Sequence, residues 1–318
     1  MDTTDIAKSL ESCDTLKPND LIIDDLSWKY LCRAVLRGKN ILLVGPTRSG
    51  KTKAAQSVVK AYGKSDRYFY FNLGSTQDAR ASLVGNTFFK KETGTVFNPS
   101  QFVKAIQTPG AIILLDELSR GHHDAWNILM PVLDETQRYL RLDETEDSSV
   151  VPVAKGVTFI ATANIGNEYT ATRVMDKALT ARFPVIVEMK VLDDEQELTL
   201  LTTLFPGASS TDVDGFKTLT KISNDTKKQF KMEDSRISSF IPTGTVVEMA
   251  ELLLDGFTLK EIVQMVIYPL YSEDGGAESE RVYVKQIVQK YIDMEASAVP
   301  SPINDPTAPA KPRRINFA

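Results

Sequence analysis

The sequence predicts an α/β fold: a parallel sheet between two layers of helices, followed by a small all-helical domain. Three observations predict it. Short, predominantly apolar runs, 40–44 (NILLV), 111–115 (AIILL) and 157–161 (VTFIA), alternate with segments of helical periodicity. Strands apolar on both faces belong in a sheet covered on both sides, and strand–helix alternation makes that sheet parallel. Each run also ends in polar residues or in Gly and Pro, and strand ends are where such sheets place their ligands. Beyond Val191 the strands stop and only helical spacing remains.

The elements follow in order. Residues 1–27 read as a polar lead-in with a short extended piece at 21–23, and 28–36 as an amphipathic helix ended by Gly38. After the first strand, the run from Lys51 to Tyr62 reads as a helix and 68–72 as a second strand. Residues 137–142 and 150–153, split by the acidic turn DETEDSS, read as a hairpin ahead of the 157–161 strand. Helical spacing then recurs at 193–204, 213–230, 245–254, 259–268 and 280–294. The expected organisation is therefore a lead-in (1–27), a nucleotide-binding αβα domain (28–190), a helical lid (191–295) and a proline-rich tail (296–318). That tail cannot pack as helix or sheet; its terminal KPRRINFA is expected to be solvated, with docking of Phe317 on a partner as the alternative.

Composition bounds the function. The chain has 318 residues, 42% hydrophobic and 25% charged, enough to bury two ordinary cores. A net charge of −5 disfavours nucleic acid as the main partner, although a local basic channel stays open. Cys13 and Cys32 form no CxxC pair and are expected to be reduced thiols. The acidic start, MDTTDIAKSLESCD, lacks the apolar core of a signal peptide, and no apolar run approaches the ~20 residues that span a bilayer. A cytoplasmic setting without a membrane partner is expected.

Four motifs carry the chemistry. Residues 45–52, GPTRSGKT, spell a complete P-loop between an apolar strand and a helix: Gly45, Pro46, Thr47, Arg48, Ser49, Gly50, Lys51 and Thr52. Successive backbone N–H groups and the helix N-terminus form a positive cradle for phosphate. Lys51 is expected to reach the β- and γ-phosphates and Thr52 to offer its hydroxyl to Mg²⁺, so the ligand is ATP with Mg²⁺. The second motif, Ile112-Ile113-Leu114-Leu115-Asp116-Glu117, delivers two acids at a buried strand end. Asp116 is expected to hold Mg²⁺ through water, and Glu117 to polarise the attacking water. In the third, 159–164 (FIATAN), a buried strand ends in Asn164, an amide that can bond the γ-phosphate or the water. The fourth, 176–183 (DKALTARF), presents Arg182 beside Phe183; a fixed guanidinium can neutralise charge in phosphoryl transfer.

The order of these motifs resembles the AAA+ ATPases, in particular the MoxR-like and cobaltochelatase-small-subunit-like (dynein-related) branch. The resemblance covers roughly residues 28–270 and includes DARASLVG (78–85), TVFNPSQFVKAIQTPGAIILLDELSR (95–120), NILMPVLDE (127–135) and FIATANIGNEYTATRVMDKALTARF (159–183). It implies a ring of identical subunits, usually hexameric, with ATP held between neighbours. Arg182 then acts in trans, Asn164 is the first sensor, and Arg120 faces the neighbour's site. Residues 75–98 resemble an insert that faces the central pore, where Phe88-Phe89-Lys90-Lys91 is either a substrate-contacting element or an apolar anchor flanked by solvated lysines. Residues 137–153 resemble the hairpin that precedes the first sensor strand.

One departure stands out. Gly244 occupies the position where the branch often carries a second-sensor arginine, which leaves Arg236 as the substitute or the lid as a weak sensor. His122 and His123 are expected to bind no metal, because no further ligands accompany them. The resemblance implies a chaperone-like motor that remodels or activates a protein partner, including partners with a von Willebrand factor A-type domain. A nucleic-acid motor and a slow-turnover, ATP-gated assembly scaffold are the alternatives. The branch also holds a GTP-specific member, so adenine is favoured by family alone.

Overall fold

The computed structural model describes residues 3–75, 78–91, 94–143, 149–164 and 175–298. The chain divides into two compact units, 1–206 with 242–244, and 207–241 with 245 onward. The proline-rich stretch beyond 298 lies outside the described residues.

In the first unit the elements run α1 (Thr3–Glu11), α2 (Asp25–Arg37), β1 (Ile41–Val44), α3 (Lys51–Ala61), β2 (Tyr68–Asn72), α4 (Ala79–Leu83), β3 (Gly85–Lys90), β4 (Gly94–Pro99), α5 (Gln101–Gln107), β5 (Ile112–Asp116) and α6 (His123–Leu133). They continue with β6 (Tyr139–Arg141), β7 (Val150–Pro152), β8 (Thr158–Ala163), α7 (Lys177–Thr180), β9 (Val185–Glu188) and α8 (Asp194–Leu204). Five strands form one parallel sheet in the order β2-β5-β8-β1-β9. Side chains alternate across it as the pleat requires. Leu42, Ile113, Leu115, Phe159 and Ala161 enter one core with α5 and α6, while Ile41, Leu43, Ile112, Leu114 and Ile160 enter the other with α2 and α3. Burial on both faces is why these strands read as continuous apolar runs.

Two elements were not legible as strands. Among the described residues β9 pairs only with β1, and it alternates buried with exposed residues, so VIVE lacks the apolar continuity of its neighbours. The insert between β2 and α5 folds as α4 and the antiparallel hairpin β3–β4, with Phe89 75% exposed. The expected hairpin ahead of β8 is present as β6–β7.

The lead-in is packed rather than loose. Ile6, Cys13 and Leu21 are buried, and the fully buried Trp28 donates its indole N–H to the Cys13 carbonyl at 2.8 Å. Lys53, on the helix after the P-loop, pairs with Asp20 at 2.8 Å. Helix α2 starts at Asp25, earlier than its apolar spacing indicates, because the Asp24 carboxylate accepts the Ser27 N–H and caps it. Gly38, left-handed at φ 64°, ends it. α8 belongs with the α/β unit, so the break falls at Gly207 instead of 191.

The second unit holds α9 (Ser210–Phe230), most of α10 (Thr243–Leu254), α11 (Leu259–Ile262) and α12 (Glu280–Ala298). Ser209 and Thr258 start α9 and α11 with reciprocal capping boxes. The helix expected over 259–268 is α11 followed by a wider π turn at Val263–Ile267 and a 3₁₀ turn at Tyr268–Leu270. α9 approaches α10 so closely that a Cβ on Gly215 would lie 2.4 Å from Leu253. Among the described residues no helix is long and apolar enough to cross a membrane.

Candidate active site

The site is assembled at the carboxyl ends of β1, β5 and β8, the central strands of the sheet. The turn after β1 leaves no room for a side chain at Gly45: a Cβ there would sit 2.2 Å from the Met189 carbonyl oxygen. That approach is fixed by the Met189 N–H, which donates to Val44 O at 2.7 Å. Gly50 at φ 85° starts α3, and Arg48 holds φ 61° without being glycine, a conformation that costs ~1–2 kcal/mol. Thr47 and Arg48 are exposed at the loop tip; Pro46 is half-buried.

Two groups in this loop are left in want of an anion. Lys51 is buried, and its ammonium folds back on the loop's own carbonyls, Gly45 O at 2.9 Å and Pro46 O at 2.5 Å. Burial pulls its pKa down to about 8, against the opposing pull of Asp116 and Glu117. The Ser49 hydroxyl is buried without a hydrogen-bond partner among the described residues. A cradle with a desolvated cation and an unsatisfied hydroxyl fits a phosphate group, whose oxygens would satisfy both.

Asp116 ends β5 with both carboxylate oxygens engaged. Oδ1 accepts from Thr162 Oγ1 at 2.6 Å and from Thr52 Oγ1 at 3.2 Å; Oδ2 accepts from Tyr70 OH at 2.9 Å. Thr52 and Asp116, the two residues expected at Mg²⁺, are thus in direct contact. A hydroxyl and a carboxylate beside a phosphate cradle are the oxygen donors a magnesium ion takes, so the residues present fit it.

Glu117 follows in a left-handed conformation, φ 55° and ψ 39°. Three contacts hold it there. Its N–H donates to Thr162 Oγ1 at 2.9 Å, its carbonyl accepts the Arg120 N–H at 2.9 Å, and its carboxylate accepts from Arg120 Nη1 at 3.3 Å. The side chain lies across Gly74, where a Cβ would meet Glu117 Oε2 at 2.2 Å. Strain held by surrounding contacts is common at functional positions. Asn164 is buried at the end of β8, its N–H donating to the buried Ser119 hydroxyl at 3.1 Å. The Gly45 N–H donates to Ala163 O at 3.3 Å, so the P-loop and Asn164 sit on adjoining strand ends.

Arg182 is elsewhere. Its carbonyl accepts from Asn40 Nδ2 at 2.9 Å, which places it at the start of β1, the end opposite the P-loop. Its guanidinium donates to Met130 O at 3.1 Å and Ala178 O at 2.6 Å and pairs with Asp134 at 3.4 Å. The structure therefore gathers Lys51, Thr52, Asp116, Glu117 and Asn164 but keeps Arg182 away from the same chain's cradle. Phe183 is buried in the core beside it. In the helical unit, Arg236 lies over the Tyr283 ring, 5.6 Å from its centroid. Gly244 falls in the first unit, and a Cβ on it would meet nothing within 4 Å among the described residues. His123 stacks edge-on against Trp126, and no metal-ligand cluster occurs among the described residues.

Tyr70, Gly74, Ser119 and Thr162 escaped the sequence reading. Thr162 lies inside the FIATAN motif, two residues before Asn164 on the pleat, which is the one signal that could have found it. Nothing in the sequence marks Tyr70 or Gly74, because their contacts are with segments far away in the sequence.

A family model described as the AAA domain, dynein-related subfamily, matches residues 40–183. BssE of Thauera aromatica, named as a candidate chaperone, is 33% identical over 173 residues, 51% of this chain and 57% of the relative. An uncharacterised protein of Staphylococcus saprophyticus is 32% identical over 160 residues, 49% of this chain and 57% of its own length. A mitochondrial Lon protease homologue of Dictyostelium discoideum is 30% identical over 167 residues, 51% of this chain and 16% of the relative. The chain spans a little over half the length of the first two. The matched segment opens just before β1 and ends at Phe183, enclosing every strand end that builds the site. With its parallel sheet, P-loop and acidic strand end, the segment 40–183 belongs to the AAA domain family, dynein-related subfamily.

Proposed function

We propose that this chain is a MoxR-like AAA+ ATPase that hydrolyses ATP with Mg²⁺ within a ring of identical subunits, a hexamer by family precedent, and uses the turnover to remodel or activate a protein partner. The observation that carries the reading is the contact of Thr52 with Asp116 beside a Lys51 ammonium that bonds, among the described residues, the carbonyls of its own loop. Lys51 exchanges those neutral acceptors for phosphate oxygens, and Ser49 gains the partner it lacks. Thr52 and Asp116 would hold Mg²⁺, which would supply charge neutralisation for the phosphates. Glu117, one residue beyond, orients and polarises the attacking water. Asn164 faces the same row of strand ends and contacts the γ-phosphate or the water.

Arg182 completes the site of the neighbouring subunit. Its place at the far end of β1 supports a role in trans over one in cis. Acting there requires it to exchange Asp134 for phosphate, a stronger anionic partner. The name of BssE supports a chaperone-like role; a partner with a von Willebrand factor A-type domain follows from the branch alone. Nucleic acid is disfavoured by the charge of −5.

The pairing of Glu117 with Arg120 and the glycine at 244 favour a second reading, an ATP-gated scaffold with slow turnover. Phosphate release by wild type and by Glu117→Gln, together with mass photometry in ATP, separates the two. The motor reading expects turnover lost in the variant and rings in both. Equal, poor hydrolysis by both with ATP-driven assembly intact supports the scaffold instead.

A further inference from the structure

Asp116 makes one contact that no P-loop motif accounts for. Tyr70 sits in β2 opposite Leu114 of β5, and Leu114 and Asp116 share one face of the sheet. The ring therefore leans along β5 by two residues and donates its hydroxyl to Asp116 Oδ2 at 2.9 Å. A carboxylate offers about four acceptor positions. Thr162 and Thr52 occupy Oδ1, and Tyr70 takes one place on Oδ2. One place remains, on the oxygen that Tyr70 orients.

We infer that Tyr70 is a positioning residue for the metal-bearing carboxylate: its hydroxyl fixes the rotation of Asp116 and thereby the direction of the one acceptor site left for a magnesium-bound water. The inference rests on the Mg²⁺–nucleotide reading of the site and deepens it. A purely structural tie between β2 and β5 is poorly motivated. The two strands are already paired from Tyr68↔Ile112 to Asn72↔Asp116, and Phe69 and Phe71 pack against the core on the opposite face. Tyr70 itself is 46% exposed, so much of its surface stays in contact with solvent.

The test is Tyr70→Phe, which keeps the ring and removes the donor. ADP affinity is measured by calorimetry in EDTA and across a Mg²⁺ series, with a thermal melt as the folding control. The expected result is ADP affinity in EDTA unchanged, and a Mg²⁺ requirement raised about tenfold, the low end for loss of an outer-shell partner. On wild type, 3-fluorotyrosine at position 70 should shift its ¹⁹F resonance on adding Mg²⁺ to the ADP complex, and not on adding ADP in EDTA. Equal weakening with and without Mg²⁺, or an unchanged Mg²⁺ requirement, overturns the inference and leaves the ATPase reading standing. A wild type that binds ADP no better with Mg²⁺ at any concentration overturns both.

Discussion

Replacing Thr162 with valine removes one hydroxyl from a buried position and keeps the shape of the side chain. That hydroxyl does two things: it donates to Asp116 Oδ1 at 2.6 Å and accepts the Glu117 N–H at 2.9 Å. Thr162 is 2% exposed, so water does not readily replace either bond. A hydrogen bond to a charged group contributes ~1.5–3 kcal/mol, and an orphaned buried donor costs ~1–3 kcal/mol. The two overlap, so a loss of about 2–4 kcal/mol is expected, or a fall in Tm of roughly 5–15 °C for a unit of this size. Thr162→Ser keeps the hydroxyl and loses only a methyl group, about 1 kcal/mol. The assay is a pair of thermal melts with steady-state phosphate release. Turnover should fall further than stability implies, because the Glu117 N–H bond that holds the left-handed turn is lost. If valine is within 0.5 kcal/mol of wild type, about the ordinary range for an inconsequential change, the proposed wiring is wrong.

Three further outcomes are expected. Gly74→Ala puts a methyl group 2.2 Å from Glu117 Oε2, so the carboxylate must swing away; a displacement of about 1 Å can lower turnover ~100-fold, while ADP affinity in calorimetry stays near wild type. Lys51 is held near a pKa of about 8 by burial, below its ordinary 10.5, and bound phosphate restores the charged form. Between those values nucleotide binding takes up a proton and weakens as pH rises; calorimetry at about pH 9 in two buffers of different ionisation enthalpy should show uptake approaching one proton, and no uptake contradicts it. Glu117→Gln should abolish phosphate release while a fluorescent ATP analogue still binds, since the amide keeps the shape but not the basicity.

Legibility followed contiguity. The P-loop, the acidic strand end and the run ending in Asn164 are short, continuous segments, and each stands at the strand end where the apolar pattern places it. Contacts between strands left no such trace: Tyr70 reaches Asp116 across a register that no single-sequence period encodes. The lead-in reads as polar because Ile6, Cys13 and Leu21 are too widely separated to show a period, although each is buried. β9 is not legible in the sequence because an edge strand needs an apolar residue only at every second position. Arg182 was found through its motif, but only the fold showed it bound to Asp134, away from the cradle of its own chain.

The most direct measurement mixes two inactive variants. Glu117→Gln lacks the water-polarising carboxylate and Arg182→Ala lacks the guanidinium supplied to a neighbour. If the site is built across a subunit boundary, the Arg182→Ala subunit offers an intact Glu117 to the Arg182 of a Glu117→Gln neighbour. About one interface in four of a random one-to-one ring is then complete. Each variant alone should be nearly silent, and the mixture should recover about a quarter of wild-type phosphate release. A mixture as silent as its parts, under conditions where mass photometry shows mixed rings, would contradict the shared site.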